Sequence, residues 1–232
     1  MLQYLQGHSR PDITFAVSQC ARWTHNPKRS HEEALQRIGR YLKGTKNLGL
    51  ILRPAESADF EIDCYVDADF AGTWGFEHPQ DPSCVKSRTG FVIFIMGTPV
   101  VWTSGLQTDI ATSTMESEYN AMSMAMRDVI PLRRLTKDII QGLGGDDVKM
   151  THVKTTVHED NHGCLRLGTM EPGRMTPRSK HYGIKYHWFR GKLKPNETEM
   201  APVPSALQRA DFLTKSLRRT MFDANRRLTC GW

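Results

Sequence analysis

Apolar residues recur with two different periods along the chain. In residues 1–50 they follow the spacing of amphipathic helices, as in the stripe formed by Ile13, Val17 and Cys20. Between residues 62 and 67 apolar and polar positions alternate, which is the period of a half-buried strand. The pattern therefore predicts a helical N-terminal segment followed by a sheet.

Local signals set the expected limits of two helices. Ser30 and Glu33 form an S-x-x-E capping box, which predicts that a helix begins at Ser30, and Gly44 is expected to end it. Pro131 lies within a long helix predicted at 113–140. Because proline lacks a backbone N–H and crowds the preceding turn, we expect it to kink or break that helix.

The elements taken together predict an α/β fold. Strands are predicted at 62–67, 89–96, 99–103, 153–160 and 199–203, and further helices at 162–167, 182–193 and 205–217. A strand meander followed by helix-linked strands is typical of a mixed sheet covered by helices. We expect residues 1–55 to form a helical appendage and residues 56–232 to form the sheet-containing domain.

Composition narrows the functional classes. The 232 residues are 39% hydrophobic and 24% charged, as in ordinary globular proteins, and the net charge of +6 permits a polyanionic partner. The longest apolar stretch, residues 91–102, is interrupted by Gly97 and Pro99 and is too short for a membrane span. The start of the chain lacks the features of a secretion signal, and the five cysteines are scattered without a C-x-x-C pair. These features predict a reduced, soluble, intracellular protein without a membrane partner.

Acidic residues lie at the ends of several predicted elements. Asp67 ends the first strand, Asp160 ends the fourth, and Asp211 lies in the last helix. The carboxyl ends of neighbouring strands meet at one edge of a sheet, so these carboxylates are expected to converge. Converging carboxylates suit a pair of Mg²⁺ ions, which take oxygen ligands and support hydrolysis of a phosphodiester.

The long helix offers two further acids, Glu116 and Glu118. Both lie near the border of its apolar stripe, so helical periodicity does not separate them. Each acid taken alone is explained at least as well as a solvated side chain or as a charge favourable to a helix N-terminus. The residue pattern by itself therefore leaves the choice open.

Five short blocks carry a family resemblance. They are Tyr65-Val-Asp-Ala-Asp-Phe-Ala-Gly72, Ser113-Thr-Met-Glu-Ser-Glu-Tyr-Asn-Ala121, Glu159-Asp-Asn161, Ser179-Lys-His-Tyr182 and Ala210-Asp-Phe-Leu-Thr-Lys215. In this order they resemble the ribonuclease H region of copia-type LTR retrotransposon polyproteins. Residues 10–17 and 40–45 look like the segment that connects reverse transcriptase to ribonuclease H in that family. The loop at 74–86 is longer than is usual there.

The resemblance implies a ribonuclease H-like fold, with a mixed five-stranded sheet flanked by helices, and cleavage of the RNA strand of an RNA–DNA hybrid. By position within the blocks it implies that Asp67, Glu118, Asp160 and Asp211 are catalytic residues that bind two Mg²⁺ ions, with Mn²⁺ as an alternative metal. The sequence Glu-Tyr-Asn-Ala favours Glu118 over Glu116. The resemblance also implies an upstream reverse-transcriptase domain in a longer polyprotein, located in a cytoplasmic particle or the nucleus.

A basic stretch follows the fourth strand. Residues 172–196 contain seven Lys or Arg residues, interleaved aromatic residues and no acid. This composition suits contacts with a nucleic-acid backbone, or alternatively a solvated helix whose aromatic residues pack inward. His181, with an ordinary pKa of about 6.5, is a candidate proton shuttle beside the metal site or simply a polar loop residue. The candidate nucleic-acid contacts are Arg178, Lys180, Lys185, Arg190 and Asn161.

Other functions are weighed against the hybrid nuclease. A catalytically inactive, nucleic-acid-binding remnant of a retroelement is the main alternative, although all four acids are present. A transposase or integrase would usually carry a DNA-end-binding module, which the sequence does not show. A zinc site at His158, His162 and Cys164 is disfavoured because His158 is predicted on a strand. A polymerase site is disfavoured because Ala68 separates the two aspartates at 67 and 69.

Overall fold

A computed structural model describes residues 1–56, 60–144, 153–171, 174 and 187–232. The N-terminal segment is helical, as predicted. Its helices are α1 (Leu2–His8), a 3₁₀ turn (Pro11–Ile13), α2 (Thr14–Ala21) and α3 (Arg29–Gly44). Ile13, Val17 and Ile38 form a small core among them. The segment therefore has an apolar centre of its own.

The start of α3 differs from the prediction. The helix begins at Arg29, so Ser30 lies inside the first turn and does not cap it. The ring Nδ1 of His31 instead accepts a hydrogen bond from the backbone N–H of Lys28, at 3.0 Å. Glu33 forms an exposed ion pair with Arg29. Moving the helix start by one residue was enough to give the capping role to a different side chain.

Five strands form one mixed sheet. They are β1 (Phe60–Asp69), β2 (Arg88–Ile95), β3 (Thr98–Leu106), β4 (Val153–Glu159) and β5 (Thr198–Pro202), in the spatial order β3-β2-β1-β4-β5. β1, β2 and β3 pair antiparallel, whereas β4 is parallel to both β1 and β5. A meander joined to helix-linked parallel strands is the arrangement expected of a ribonuclease H-like fold. The predicted fold class is therefore confirmed.

Helices cover both faces of the sheet. α4 (Thr114–Gly144) lies on one face, where its buried residues pack against apolar residues of β1 and β2. α6 (Asp211–Thr214) and α7 (Arg219–Cys230) belong to the other face, where Val92 and Phe94 contact Phe212 and Leu213. Successive residues of β2 thus serve two cores, because side chains alternate between the faces of a strand. A further helix, α5 (His162–Gly168), follows β4.

Of the two outcomes expected at Pro131, a kink or a break, the break is wrong, because α4 continues to Gly144. Apolar residues on both sides of the proline pack against the main core, including Val129, Leu132 and Ile140. This packing offsets the hydrogen bond that proline cannot donate. None of the described helices, α4 included, has the length and apolar character needed to cross a membrane.

The C-terminal region also differs from the prediction. The continuous helix expected at 205–217 is a 3₁₀ turn (Ser205–Leu207) followed by the short α6. Between them, Gln208 donates a hydrogen bond from Nε2 to the Val66 carbonyl and accepts one from the Ala210 N–H at Oε1. These bonds hold the chain in a non-helical conformation. α7 was not predicted. Of the helix predicted at 182–193, residues 182–186 lie outside the described residues, and the described part contains a 3₁₀ turn at Trp188–Lys192.

The N-terminal helices pack against the sheet. The Ser18 hydroxyl donates to the Ser104 carbonyl at 2.9 Å, and Trp102 Nε1 donates to the Gln6 carbonyl at 2.5 Å. α2 therefore lies against β3 and does not project from the domain. The division of the chain at residue 55 stays a prediction.

Candidate active site

The carboxyl ends of the two central strands meet at the candidate site. β1 and β4 pair in parallel up to Tyr65 and His158, and Asp67 and Asp160 each lie two residues farther along the chain. One carboxylate oxygen from each of Asp67, Asp160 and Glu118 lies within 4.8 Å of the other two. The fold thus brings together three acids that are distant in sequence.

α4 contributes Glu118 to this group, and not Glu116. The Glu118 side chain is almost fully buried beside the ends of the strands. The Glu116 carboxylate instead accepts hydrogen bonds from the backbone N–H of Thr112 at 2.8 Å and from its hydroxyl at 2.7 Å. Glu116 therefore fixes the chain just before the helix. The geometry distinguishes the two acids that helical periodicity could not separate.

α6 adds Asp211 at the border of the group, and a cation with it. Lys215 follows α6, and its Nζ lies 2.8 Å from Asp211 Oδ1 and 3.6 Å from Asp67 Oδ2. The Thr214 hydroxyl donates a hydrogen bond to Asp67 Oδ2. Asp211 therefore lies beside Asp67 but outside the set of three whose oxygens lie within 4.8 Å of one another.

A glycine in β2 permits α6 to come this close. Gly90 pairs with Asp67 across the β1–β2 ladder. A Cβ atom at Gly90 would lie 2.6 Å from Thr214 Cγ2 and 2.8 Å from Leu213 Cβ. Carbon atoms in contact are normally separated by about 3.5–4.0 Å. The absence of a side chain at Gly90 is therefore what lets α6 bring Asp211 and Lys215 to Asp67.

Burial and mutual repulsion alter the proton affinities of the site. Burial raises the pKa of Asp67, Lys215 lowers it, and Asp211 raises it again, to about 6 overall. Burial, followed by the charges of Glu159 and Asp67, raises the pKa of Glu118 to about 11. Burial lowers the pKa of Lys215, but the surrounding carboxylates raise it by more, so it lies above its ordinary value. Without a metal ion, the single positive charge of Lys215 therefore does not balance the carboxylates around it.

Glu159 is a buried acid that the sequence analysis does not single out. It lies at the end of β4 and is 0% exposed, and burial raises its pKa to about 8. Its Oε1 accepts a hydrogen bond from the Asn161 N–H at 3.0 Å. The signal was present in the alternation of β4, because Glu159 shares its parity with Val153, Thr155 and Val157, which are all buried. When ionised, Glu159 therefore adds negative charge to the site from the core side.

The donor set fits a hard divalent cation. Each of the three acids offers a carboxylate oxygen, the ligand type that such cations prefer. Glu118 Oε2 is buried and accepts no hydrogen bond from the described part of the chain, which is costly unless another partner is supplied. Asp67, Glu118 and Asp160 are the residues that would hold the metal, with Asp211 adjoining. Among the described residues no second group of His, Cys, Asp or Glu has a metal-binding arrangement, so the zinc trio weighed from the sequence does not assemble.

Comparison with known proteins finds similar Pol polyproteins from transposons of two plants. Over 221 residues the chain is 30% identical to the retrovirus-related Pol polyprotein from transposon RE1 of Arabidopsis thaliana, an alignment that covers 95% of the chain and 14% of the relative. Over 222 residues it is 31% identical to the retrovirus-related Pol polyprotein from transposon TNT 1-94 of Nicotiana tabacum, covering 96% and 15%. The chain is therefore a homologue of the retrovirus-related Pol polyproteins of copia-type plant transposons. No family model matches it.

This Pol segment spans only 14–15% of the length of those curated relatives. Solved structures with some likeness include the N-terminal RNase H domain of rv2228c from Mycobacterium tuberculosis, which is 13% identical with a TM-score of 0.44 and covers 72% of this chain and 97% of that one. LC11-RNase H1 in complex with an RNA/DNA hybrid is 20% identical with a TM-score of 0.42, covering 66% and 93%.

The other predicted site residues of this Pol segment lie in different places. Arg190 is 3% exposed, and its guanidinium donates to the carbonyls of Met170 and Glu171. A nucleic-acid contact by Arg190 stays a prediction. Asn161 caps α5, because its Oδ1 accepts a hydrogen bond from the Cys164 N–H at 3.0 Å. A nucleic-acid contact by Asn161 stays a prediction. His181, Arg178, Lys180 and Lys185 lie outside the described residues.

Proposed function

We propose that this segment is a metal-dependent endonuclease that hydrolyses the RNA strand of RNA–DNA hybrids within a reverse transcriptase/ribonuclease H polyprotein. The observation that carries the proposal is the convergence of Asp67, Glu118 and Asp160, whose carboxylate oxygens lie within 4.8 Å of one another. A group of buried carboxylates with little positive charge nearby is a natural ligand set for Mg²⁺, with Mn²⁺ as an alternative. The similarity of the chain to Pol polyproteins supports nucleic acid as the substrate.

The residues of the chain have separate roles in this proposal. Asp67, Glu118 and Asp160 hold the metal, and Asp211 completes the ligand set from α6. When bound, the metal supplies an activated water and stabilises the leaving oxygen of the phosphodiester. Thr214 fixes the orientation of the Asp67 carboxylate through its hydrogen bond.

The partners of the segment belong to the same proposal. The substrate is an RNA–DNA hybrid, and the upstream partner is the reverse-transcriptase domain of the longer polyprotein. The net charge of +6 favours approach to a polyanion. Arg178, Lys180 and Lys185 are proposed contacts with the hybrid backbone, and His181 is a proposed proton shuttle.

The decisive experiment compares cleavage with binding. We expect Mg²⁺-dependent cleavage of the RNA strand of a labelled hybrid, and little cleavage of duplex DNA, by the full 232-residue chain. Asp67→Asn and Asp160→Asn are each expected to reduce cleavage by about 10³-fold or more while hybrid binding stays within about threefold. Asp138→Asn is the matched control, because Asp138 is an exposed carboxylate of α4 outside the site.

The outcomes separate the candidate functions. Unchanged cleavage in the Asp67→Asn and Asp160→Asn variants would rule out the proposed metal site. Hybrid binding without any Mg²⁺-dependent cleavage by the wild-type chain would favour the inactive remnant. Equal cleavage of hybrid and duplex DNA would contradict the proposed substrate.

A further inference from the structure

The loop that connects β1 to β2 exposes large aromatic side chains beside the carboxylates. This loop, residues 70–87, carries Phe70, Trp74 and Phe76, which are 38%, 58% and 91% exposed. Exposed aromatic residues in such number on one loop next to a site usually mark a binding surface.

The loop is fixed in place. Arg22 of α2 forms two hydrogen bonds with the Glu77 carboxylate, at 2.6 and 2.8 Å, and a third with the Ser83 hydroxyl at 2.7 Å. The Thr73 hydroxyl donates to the Cys84 carbonyl at 3.0 Å, which closes the base of the loop. The aromatic residues therefore lie on a loop that is already held in place. A ligand that binds to them pays little free energy for ordering the loop backbone.

A cavity of about 460 Å³ lies between this loop, α2 and the end of α6. Lys86, Arg88 and Lys215 line it, and Phe76 lines its rim. Asp69 and Glu77 also line it, but Glu77 is already paired with Arg22. Lys215 is likewise paired with Asp211 and Asp67. The remaining charges of the lining are Lys86 and Arg88 against Asp69, so the lining keeps an excess of positive charge, which favours an anionic ligand.

Arg88 is the unusual member of this cavity. It is 3% exposed, yet no carboxylate among the described residues lies within ion-pair distance of its guanidinium. It donates instead to neutral oxygens: Ser18 Oγ at 2.9 Å, Ser104 Oγ at 3.0 Å, and Gln19 Oε1. A buried cation held only by neutral partners retains most of its attraction for an anion.

The cavity adjoins the carboxylate site directly. Thr214 and Lys215 line the cavity and also contact Asp67. Arg88 pairs with Asp69 in the β1–β2 ladder, two residues beyond the pair formed by Asp67 and Gly90. Two residues of a strand span about 7 Å, so a nucleic-acid strand that crosses the carboxylates would place a neighbouring phosphate near the cavity.

We propose that the cavity binds a backbone phosphate of the substrate strand next to the cleaved bond, and that Phe76 packs against the adjoining sugar. This inference rests on the proposed function, since it extends the substrate contact from the same site. Lys86 and Arg88 supply the positive charge, and the supported loop supplies the apolar surface. The loop thereby positions the substrate without taking part in the chemistry.

Binding in EDTA tests this inference apart from cleavage. The probe is a fluorescent RNA–DNA hybrid duplex, and the measurement is anisotropy with the full chain. We expect Phe76→Ala and Lys86→Gln each to weaken binding about fivefold, and Lys86→Gln to reduce the salt slope by about one. Phe76→Tyr and Lys86→Arg should restore binding. Tyr4→Ala is the matched control, because Tyr4 is 67% exposed on the distant α1.

Kinetics and modified substrates complete the test. In Mg²⁺ the two variants are expected to raise KM about fivefold with kcat unchanged. Methylphosphonate linkages in the RNA strand should abolish the effect of Lys86→Gln, and the same linkages in the DNA strand should not; the reverse result would contradict the proposed contact with the cleaved strand. Binding of both variants within twofold of wild type would overturn the inference, as would a wild-type chain that binds no hybrid. A wild-type chain that binds but does not cut would remove the proposed function and leave this inference intact.

Discussion

At the scale of single residues, the site combines groups that would each be unfavourable alone. Glu118 and Glu159 are buried carboxylates, and the charge of Asp67 acts on Glu118 while that of Asp211 acts on Asp67. Lys215 is the cation that faces two of these acids, at 2.8 and 3.6 Å. One ammonium group does not balance several buried carboxylates, so the metal-free chain loses stability here that a divalent cation restores.

Substitution of Glu118 tests this imbalance. Because the folded-state pKa of Glu118 is raised to about 11, the folded chain binds a proton that the unfolded chain has lost above about pH 4.5. The free energy of unfolding therefore falls as the pH rises from about 4.5 towards 11. Glu118→Gln is expected to raise the unfolding free energy of the metal-free chain by roughly 1–3 kcal/mol at pH 7, and by almost nothing near pH 4.5.

Urea titrations at the two pH values measure this effect. Mg²⁺ should stabilise the wild type and not the Glu118→Gln variant. Asp138→Asn, an exposed carboxylate on the same helix, should behave as wild type at both pH values. A Glu118→Gln variant that is less stable than wild type at pH 7 would show that the carboxylate is well accommodated without metal.

At the scale of elements, the sequence predicted the strands and helices whose positions depend on the local pattern of apolar and polar residues. The alternation of residues 62–67 located β1, which continues past Asp67 to Asp69, and the strand predicted at 153–160 matches β4, which ends one residue before Asp160. Tertiary contacts decided the rest: packing carried α4 past Pro131, and hydrogen bonds of Gln208 interrupted the last predicted helix. The family resemblance supplied Glu118 where periodicity could not. The role of Gly90 was not predictable, because it depends on an element more than 100 residues away.

Gly90 offers a test at this scale. Gly90→Ala is expected to push α6 away from β2, because the new Cβ would overlap Thr214 and Leu213. We expect a loss of about 1–3 kcal/mol of stability and a weaker Mg²⁺-induced rise in Tm. Gly105→Ala in β3 is the control, since nothing lies within 4 Å of a Cβ there. If Mg²⁺ raises the Tm of the Gly90→Ala variant as much as that of the wild type, the site tolerates the displacement of α6.

At the scale of the whole molecule, the two ends of the chain meet in one buried network. Arg10 donates to both Asp12 oxygens, at 2.9 and 2.7 Å, and the Tyr41 hydroxyl donates to the same carboxylate at 2.6 Å. The Arg10 guanidinium also lies over the rings of Tyr41 and Trp232, 5.5 Å from each centroid. The N-terminal helices are therefore tied to the C-terminal helix as well as to the sheet.

This network predicts cooperative unfolding of the N-terminal helices with the domain. Asp12→Ala leaves the buried Arg10 without its carboxylate partner, so we expect the free energy of unfolding to fall by about 3–5 kcal/mol. The variant should still unfold in a single transition, at a lower urea concentration than the wild type. Glu33→Ala, in an exposed pair, should cost less than about 0.5 kcal/mol. Circular dichroism and tryptophan fluorescence during urea unfolding measure both. Two separate transitions, with only one displaced by Asp12→Ala, would show that residues 1–55 unfold on their own.

The site draws its acids from residues 67, 118, 160 and 211, which belong to four separate parts of the chain. A premature stop codon or a frameshift anywhere ahead of codon 211 therefore deletes at least one of them, even when most of the sheet is still encoded. Any genomic copy of this element that keeps the complete set must keep its reading frame open through that codon.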